Sequence, residues 1–111
     1  MSHSRPPATR SDAQRARLAL AEADWANLAR FEATTRDPDR PLTALQWLAG
    51  AALAAAVAEH FTALAAMTTG TAGARMWAEE ATRLRDTAAR YELAATLAEP
   101  QDSDHVAHDA A

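Results

Sequence analysis

From Pro41 to Ala74 the chain carries one formal charge, Glu59. A tract of that length with no charged side cannot form the solvated surface of a small domain. It must cross a membrane, fill a core or meet another chain, and which of these it does bears directly on function.

Residue types settle the fold class. Of 111 residues, 32 are Ala and 11 are Leu, whereas Ile is absent and Val occurs only twice. Strand formers are nearly missing, while Ala, Leu, Arg and Glu all favour helix. The length suits one domain. We therefore expect an all-α fold, an antiparallel three-helix bundle with a long Ala-rich central helix, assembling into a larger helical bundle as an oligomer.

Ser11 followed by Gln14 matches a capping box and predicts a helix over 12–34, with Leu18, Ala21, Trp25 and Leu28 as its apolar stripe. The stretch TTRDPDRP breaks the chain, because each Pro disfavours helix at the residue before it. With Asp39 or Arg40 as cap and Pro41 in the first turn, a second helix is predicted over 41–69, closed by Gly70 and Gly73. The third is predicted over 74–98. There Trp77, Ala81, Leu84, Ala88, Tyr91, Ala95 and Ala98 alternate by four and three, and Glu79–Arg83 and Asp86–Arg90 are possible ion pairs on the other faces.

The second helix has no polar side. Leu42, Ala49, Leu53, Val57, Leu64 and Met67 line one stripe together with Gln46 and His60. Trp47, Ala51, Ala54, Ala55, Ala58, Thr62, Ala65 and Ala66 occupy the other. Residues 41–69 would reach roughly 43 Å, enough for a bilayer core of about 30 Å. Ala contributes little transfer energy, however, and Gln46, Glu59 and His60 interrupt the tract, so no membrane span is expected. Helices one and three supply polar outer faces and helix two does not. A second chain is therefore expected to cover Trp47, Ala51, Ala54, Ala55, Ala58, Thr62 and Ala65, either a copy of this protein in a homodimer or another helical protein.

Charge and composition narrow the function classes. The formal net charge of −4 argues against bulk nucleic-acid binding. Locally, Arg5, Arg10, Arg15 and Arg17 against Asp12 make a basic segment suited to phosphates, and a small DNA-associated regulator is the alternative. Residues 1–10 read as a disordered Arg-containing arm, 11–99 as one helical domain, and 100–111 as a disordered acidic tail after Pro100. The absence of Cys removes disulfides, thiol chemistry and Cys-ligated zinc, and fits a cytoplasmic protein.

Little else carries chemistry. Glu59 and His60 are neighbours in sequence, but adjacent helical residues point about 100° apart and do not share a site. His60 is expected to be a core histidine bonded to Asp24, Gln46 or a backbone carbonyl. Arg17 and Asp24, seven apart near the apolar face, are candidates for a buried polar pair that fixes register. His105 and His108 lie among Asp102, Asp104 and Asp109, a weak and unselective ligand set. TTGTAG has no flanking strand and no Lys, so it is not a phosphate loop. No catalytic, metal or cofactor site is expected, and the chain reads as a non-catalytic protein–protein interaction module.

Residues 64–98, LAAMTTGTAGARMW followed by an amphipathic helix, resemble the small helical-hairpin proteins of type VII secretion over about a third of the chain. Those proteins carry Trp-x-Gly in the turn, where this chain has Thr68-Thr69-Gly70. Their export signal places an acidic residue four after a Tyr, where Tyr91 is followed by Ala95. The resemblance implies a helix–turn–helix in this stretch.

Overall fold

The structure is a computed structural model that describes residues 11–98. It contains three helices, α1 (Asp12–Thr34), α2 (Ala44–Met67) and α3 (Thr71–Leu97), and no strand among the described residues. The fold is all-α, with helix packed on helix.

Capping decides where each helix starts. Gln14 N donates to Ser11 Oγ at 3.0 Å and Ser11 N donates to Gln14 Oε1 at 3.1 Å, the reciprocal box the sequence predicts. A second box opens α2. Gln46 N donates to Thr43 Oγ1 at 3.1 Å and Thr43 N donates to Gln46 Oε1 at 2.9 Å. The helix thus begins at Ala44, and Pro41 stays in the linker with Asp39 and Arg40. Arg40 has no side-chain acceptor to offer a helix start, and Asp39 N is already bound to Asp37 Oδ1 at 2.9 Å. At the other end, Thr68 is extended and Gly70 caps α3. The turn is therefore Thr68–Gly70, and Gly73 lies inside α3.

α2 is the central element. It packs extensively against α3 and over a narrower contact against α1, whereas α1 and α3 do not approach closely along their backbones. In α1, Gln14 meets Met67, Trp25 meets Phe61, and Phe31 meets Trp47. In α3, Trp77 meets Phe61, Arg85 meets Thr62, and Tyr91 meets Trp47.

Every aromatic side chain in the sequence sits in one of two layers, each taking one ring from each helix. Phe31, Trp47 and Tyr91 form a closed triangle with centroids 5.9, 5.2 and 5.5 Å apart. In the second layer Phe61 stands between Trp25 at 5.6 Å and Trp77 at 5.2 Å. Tilted and edge-on pairs of this kind add about 0.5–1.5 kcal/mol each beyond area burial. Small residues and a few larger ones complete the core: Ala21 and Leu28 from α1, Ala51, Ala54, Val57, Ala58 and Leu64 from α2, and Ala81, Leu84 and Ala88 from α3. Gly50 belongs to the same packing. The Phe31 ring rests on its backbone, and a methyl group there would lie 2.2 Å from Phe31 Cε2.

Candidate interaction face

The small residues of α2 divide between two surfaces. Ala51, Ala54 and Ala58 are 3%, 0% and 1% exposed. They lie on one helical stripe between Trp47, which touches Tyr91, and Phe61, which touches Trp77. The side expected to receive a second chain is thus, at these three positions, part of the chain's own core. The physical reason is the one that suggested an interface: small side chains let helix axes approach closely. The neighbours that use this are the chain's own helices, whose Ala21, Ala81 and Ala88 are buried in the same cluster. Trp47 and Ala65 are half-buried, and Ala55 and Thr62 are exposed.

What remains open on α2 is a different stripe. Leu45, Leu48, Ala52, Ala55, Glu59, Thr62 and Ala66 are all exposed and follow alternating spacings of three and four. Leu45 is 71% and Leu48 is 47% exposed. Glu59 is the sole charge on the stripe, and Thr62 Oγ1 accepts a 2.6 Å bond from Arg85 Nη2. The spacing is legible in the sequence. It is hidden because polar residues are few on α2 and scattered over several arcs: Glu59 and Thr62 here, Gln46 and His60 elsewhere.

By length and composition α2 is one helix among the described residues that could cross a membrane; its mean hydropathy reaches 1.5, and 39% of that window is buried in the chain's own packing.

On the far side of α2 from α3, a polar network ties α1 down. Arg17 Nη1 lies 3.1 Å from His60 Nδ1, and His60 Nε2 lies 2.8 Å from Asp24 Oδ2. Asp24 is the expected partner of His60. Gln46 serves the α2 cap instead. Arg17 and Asp24 do not meet each other directly but clasp the same imidazole ring from two turns of α1. A guanidinium can only donate, so His60 Nδ1 must accept and Nε2 must carry the proton. The ring is neutral in this arrangement, and both its nitrogens are occupied. Gln14 Nε2 adds a bond to the Met67 carbonyl at 3.0 Å.

The basic segment near the N-terminus is partly committed as well. Arg15 pairs with Asp12 and Arg17 with His60. Arg5 and Arg10 lie outside the described residues, as do the tail residues Asp102, Asp104, His105, His108 and Asp109. On α3, Arg83 pairs with Glu80 at 2.5 Å instead of Glu79, and Arg90 donates to Thr87 Oγ1 at 3.1 Å instead of meeting Asp86.

Tyr91 Oη donates to Glu32 Oε2 at 3.3 Å across the open end of the first aromatic layer. Burial raises the Tyr91 phenol above its ordinary pKa, and the Glu32 carboxylate adds to the rise.

Comparison of the chain with protein-family models, with curated proteins and with solved structures finds no match.

Proposed function

We propose that the chain is an antiparallel three-helix bundle acting as a non-catalytic interaction module, and that it pairs with a second copy of itself along the exposed stripe of α2. The observation that carries this is the exposed stripe from Leu45 to Ala66, whose polar residues are Glu59 and Thr62 and which α3 touches through the Arg85 bond to Thr62. The cross-helix contacts of Gln14, Trp25, Phe31, Trp77 and Tyr91 support the antiparallel arrangement.

The order of residues along the stripe favours a second copy. If two α2 helices cross antiparallel about Ala55, Leu45 opposes Ala66, Leu48 opposes Thr62, and Ala52 opposes Glu59. Large residues then face small ones, and the two Glu59 carboxylates are kept apart. A parallel pairing would stack Leu on Leu and Glu59 on Glu59, opposing like charges in an apolar seam. Isologous self-pairing of this type is the commonest oligomer symmetry.

His60 supports a non-catalytic reading, because both ring nitrogens are engaged in holding α1. The charged outer faces of α1 and α3, attached to either side of α2, favour a soluble cytoplasmic protein over a spanning one. A heterologous helical partner on the same stripe, or a DNA-associated role for Arg5 and Arg10, is the competing reading. The engagement of Arg15 and Arg17 within the chain counts against the latter.

Light scattering coupled to size exclusion tests this at tens of micromolar protein. We expect twice the chain mass of 11.9 kDa for the wild type. Ala55→Arg should give a single-chain mass with unchanged helical circular dichroism. A single-chain mass for the wild type would overturn self-pairing and leave the heterologous partner. A salt-sensitive mobility shift with duplex DNA would favour the DNA-associated reading.

A further inference from the structure

We propose that His60 is a proton-operated latch on the N-terminal half of α1. The inference is independent of the α2 stripe, since His60 faces α1 and is not on that stripe. α1 is held unevenly. Its two buried residues, Ala21 and Leu28, both come after Arg17. Before Ala21 only Gln14, Arg17 and Leu18 are even half-buried. Two side-chain hydrogen bonds tie these first turns to α2, Gln14 to the Met67 carbonyl and Arg17 to His60 Nδ1.

Protonation of the imidazole puts a hydrogen on Nδ1, which then can no longer accept from Arg17. An N–H faces an N–H, and a cation faces a cation. The bond to Asp24 behaves oppositely, because Nε2 still donates and the pair becomes ionic. One event therefore expels Arg17 and tightens Asp24. α1 stays attached from Ala21 onward, where burial holds it, and loosens before it.

The groups that face the ring are few. Arg17 opposes its protonation and Asp24 favours it, both from α1. Glu59, next to it on α2, is exposed and points about 100° away. Among the described residues no hydrogen bond or ion pair joins His60 to α3. The switch thus lies in the geometry of one ring clasped by a donor and an acceptor.

Amide hydrogen exchange read by mass spectrometry at pH 7.5 and 5.5, corrected for intrinsic rates, tests the latch on the full chain. Protection over residues 15–20 should fall several-fold at the lower pH, while that over 24–34 holds. His60→Gln offers Arg17 an acceptor and Asp24 a donor without titrating, so its protection pattern should be the same at both values. Nitrogen NMR of the wild-type ring should show the Nε2–H tautomer at pH 7.5, a readout that needs no variant. An Nδ1–H tautomer, equal protection of 15–20 at both pH values, or a pH response retained in His60→Gln would each overturn the proposal.

Discussion

A single methyl group tests the packing of α1 on α2. Gly50 sits mid-helix, where Ala would ordinarily be better by about 1 kcal/mol. Here the added carbon would strike the Phe31 ring at 2.2 Å, and the ring is held by Trp47 and Tyr91. Overpacking of this kind costs about 1–3 kcal/mol. Gly50→Ala should therefore forfeit its propensity gain and lower stability in urea by up to about 2 kcal/mol, whereas Gly70→Ser, with no atom within 4 Å, should be neutral or slightly stabilising. Tyr91 makes a second test at this scale. Its raised pKa means that the folded state holds the phenol proton more tightly than the unfolded chain. The associated stability is present below the unfolded phenol value of about 10 and is lost as pH rises through the folded one. The chain has no Lys, no Cys and one Tyr. The pH-dependent change in absorbance at 295 nm thus reports Tyr91, and Tyr91→Phe should flatten the loss of stability above about pH 10. At this scale much was legible. The sequence narrowed the partner of His60 to Asp24, Gln46 or a backbone carbonyl, and the structure selects Asp24. The role of Arg17 as the donor that fixes the tautomer did not, because it depends on which two turns of α1 reach the ring.

At the scale of elements, local chemistry set the boundaries. The Ser11 box was plain because nothing competes with it. The Thr43 box was obscured by Pro41, a residue well suited to a first helical turn, and the linker has to be seen before Thr43 and Gln46 take precedence. Thr43→Ala should cost about 1 kcal/mol and leave the fold intact, as read by thermal and urea melts. The faces of α2 were the least legible feature. In α3, charged residues mark the outside and the stripe can be read directly. In α2, nearly every position is apolar or small, so sequence alone cannot tell the arc against α3 from the arc against solvent. Ala51, Ala54 and Ala58 therefore looked as open as Ala52 and Ala55, and only the burial pattern separates them. The distinction has a direct consequence for mutagenesis. Ala54→Arg should unfold the chain, by forcing an unpaired charge into a filled core, while Ala55→Arg should leave its helicity intact.

For the molecule as a whole, two aromatic layers and a seam of small residues replace the large aliphatic core of a longer domain. Val57 and Leu64 are the largest side chains that are almost completely enclosed. The α2–α3 pair carries most of the packing, and α1 adds one ring to each layer, two buried aliphatic residues and the His60 clasp. Such a body leaves most of one side of its central helix exposed, with Arg85 reaching it at Thr62, and the order of residues there favours self-pairing about Ala55. Because the chain has no Cys, single engineered thiols report the geometry without background. Under mild oxidation, Ala55→Cys should give a covalent dimer, because its partner thiol lies at the crossing point. Leu45→Cys should not, since antiparallel helices place the two copies of residue 45 roughly 30 Å apart. Cross-linking at position 45 as efficient as at 55 would contradict the antiparallel seam, and cross-linking at neither would contradict self-pairing along α2 altogether.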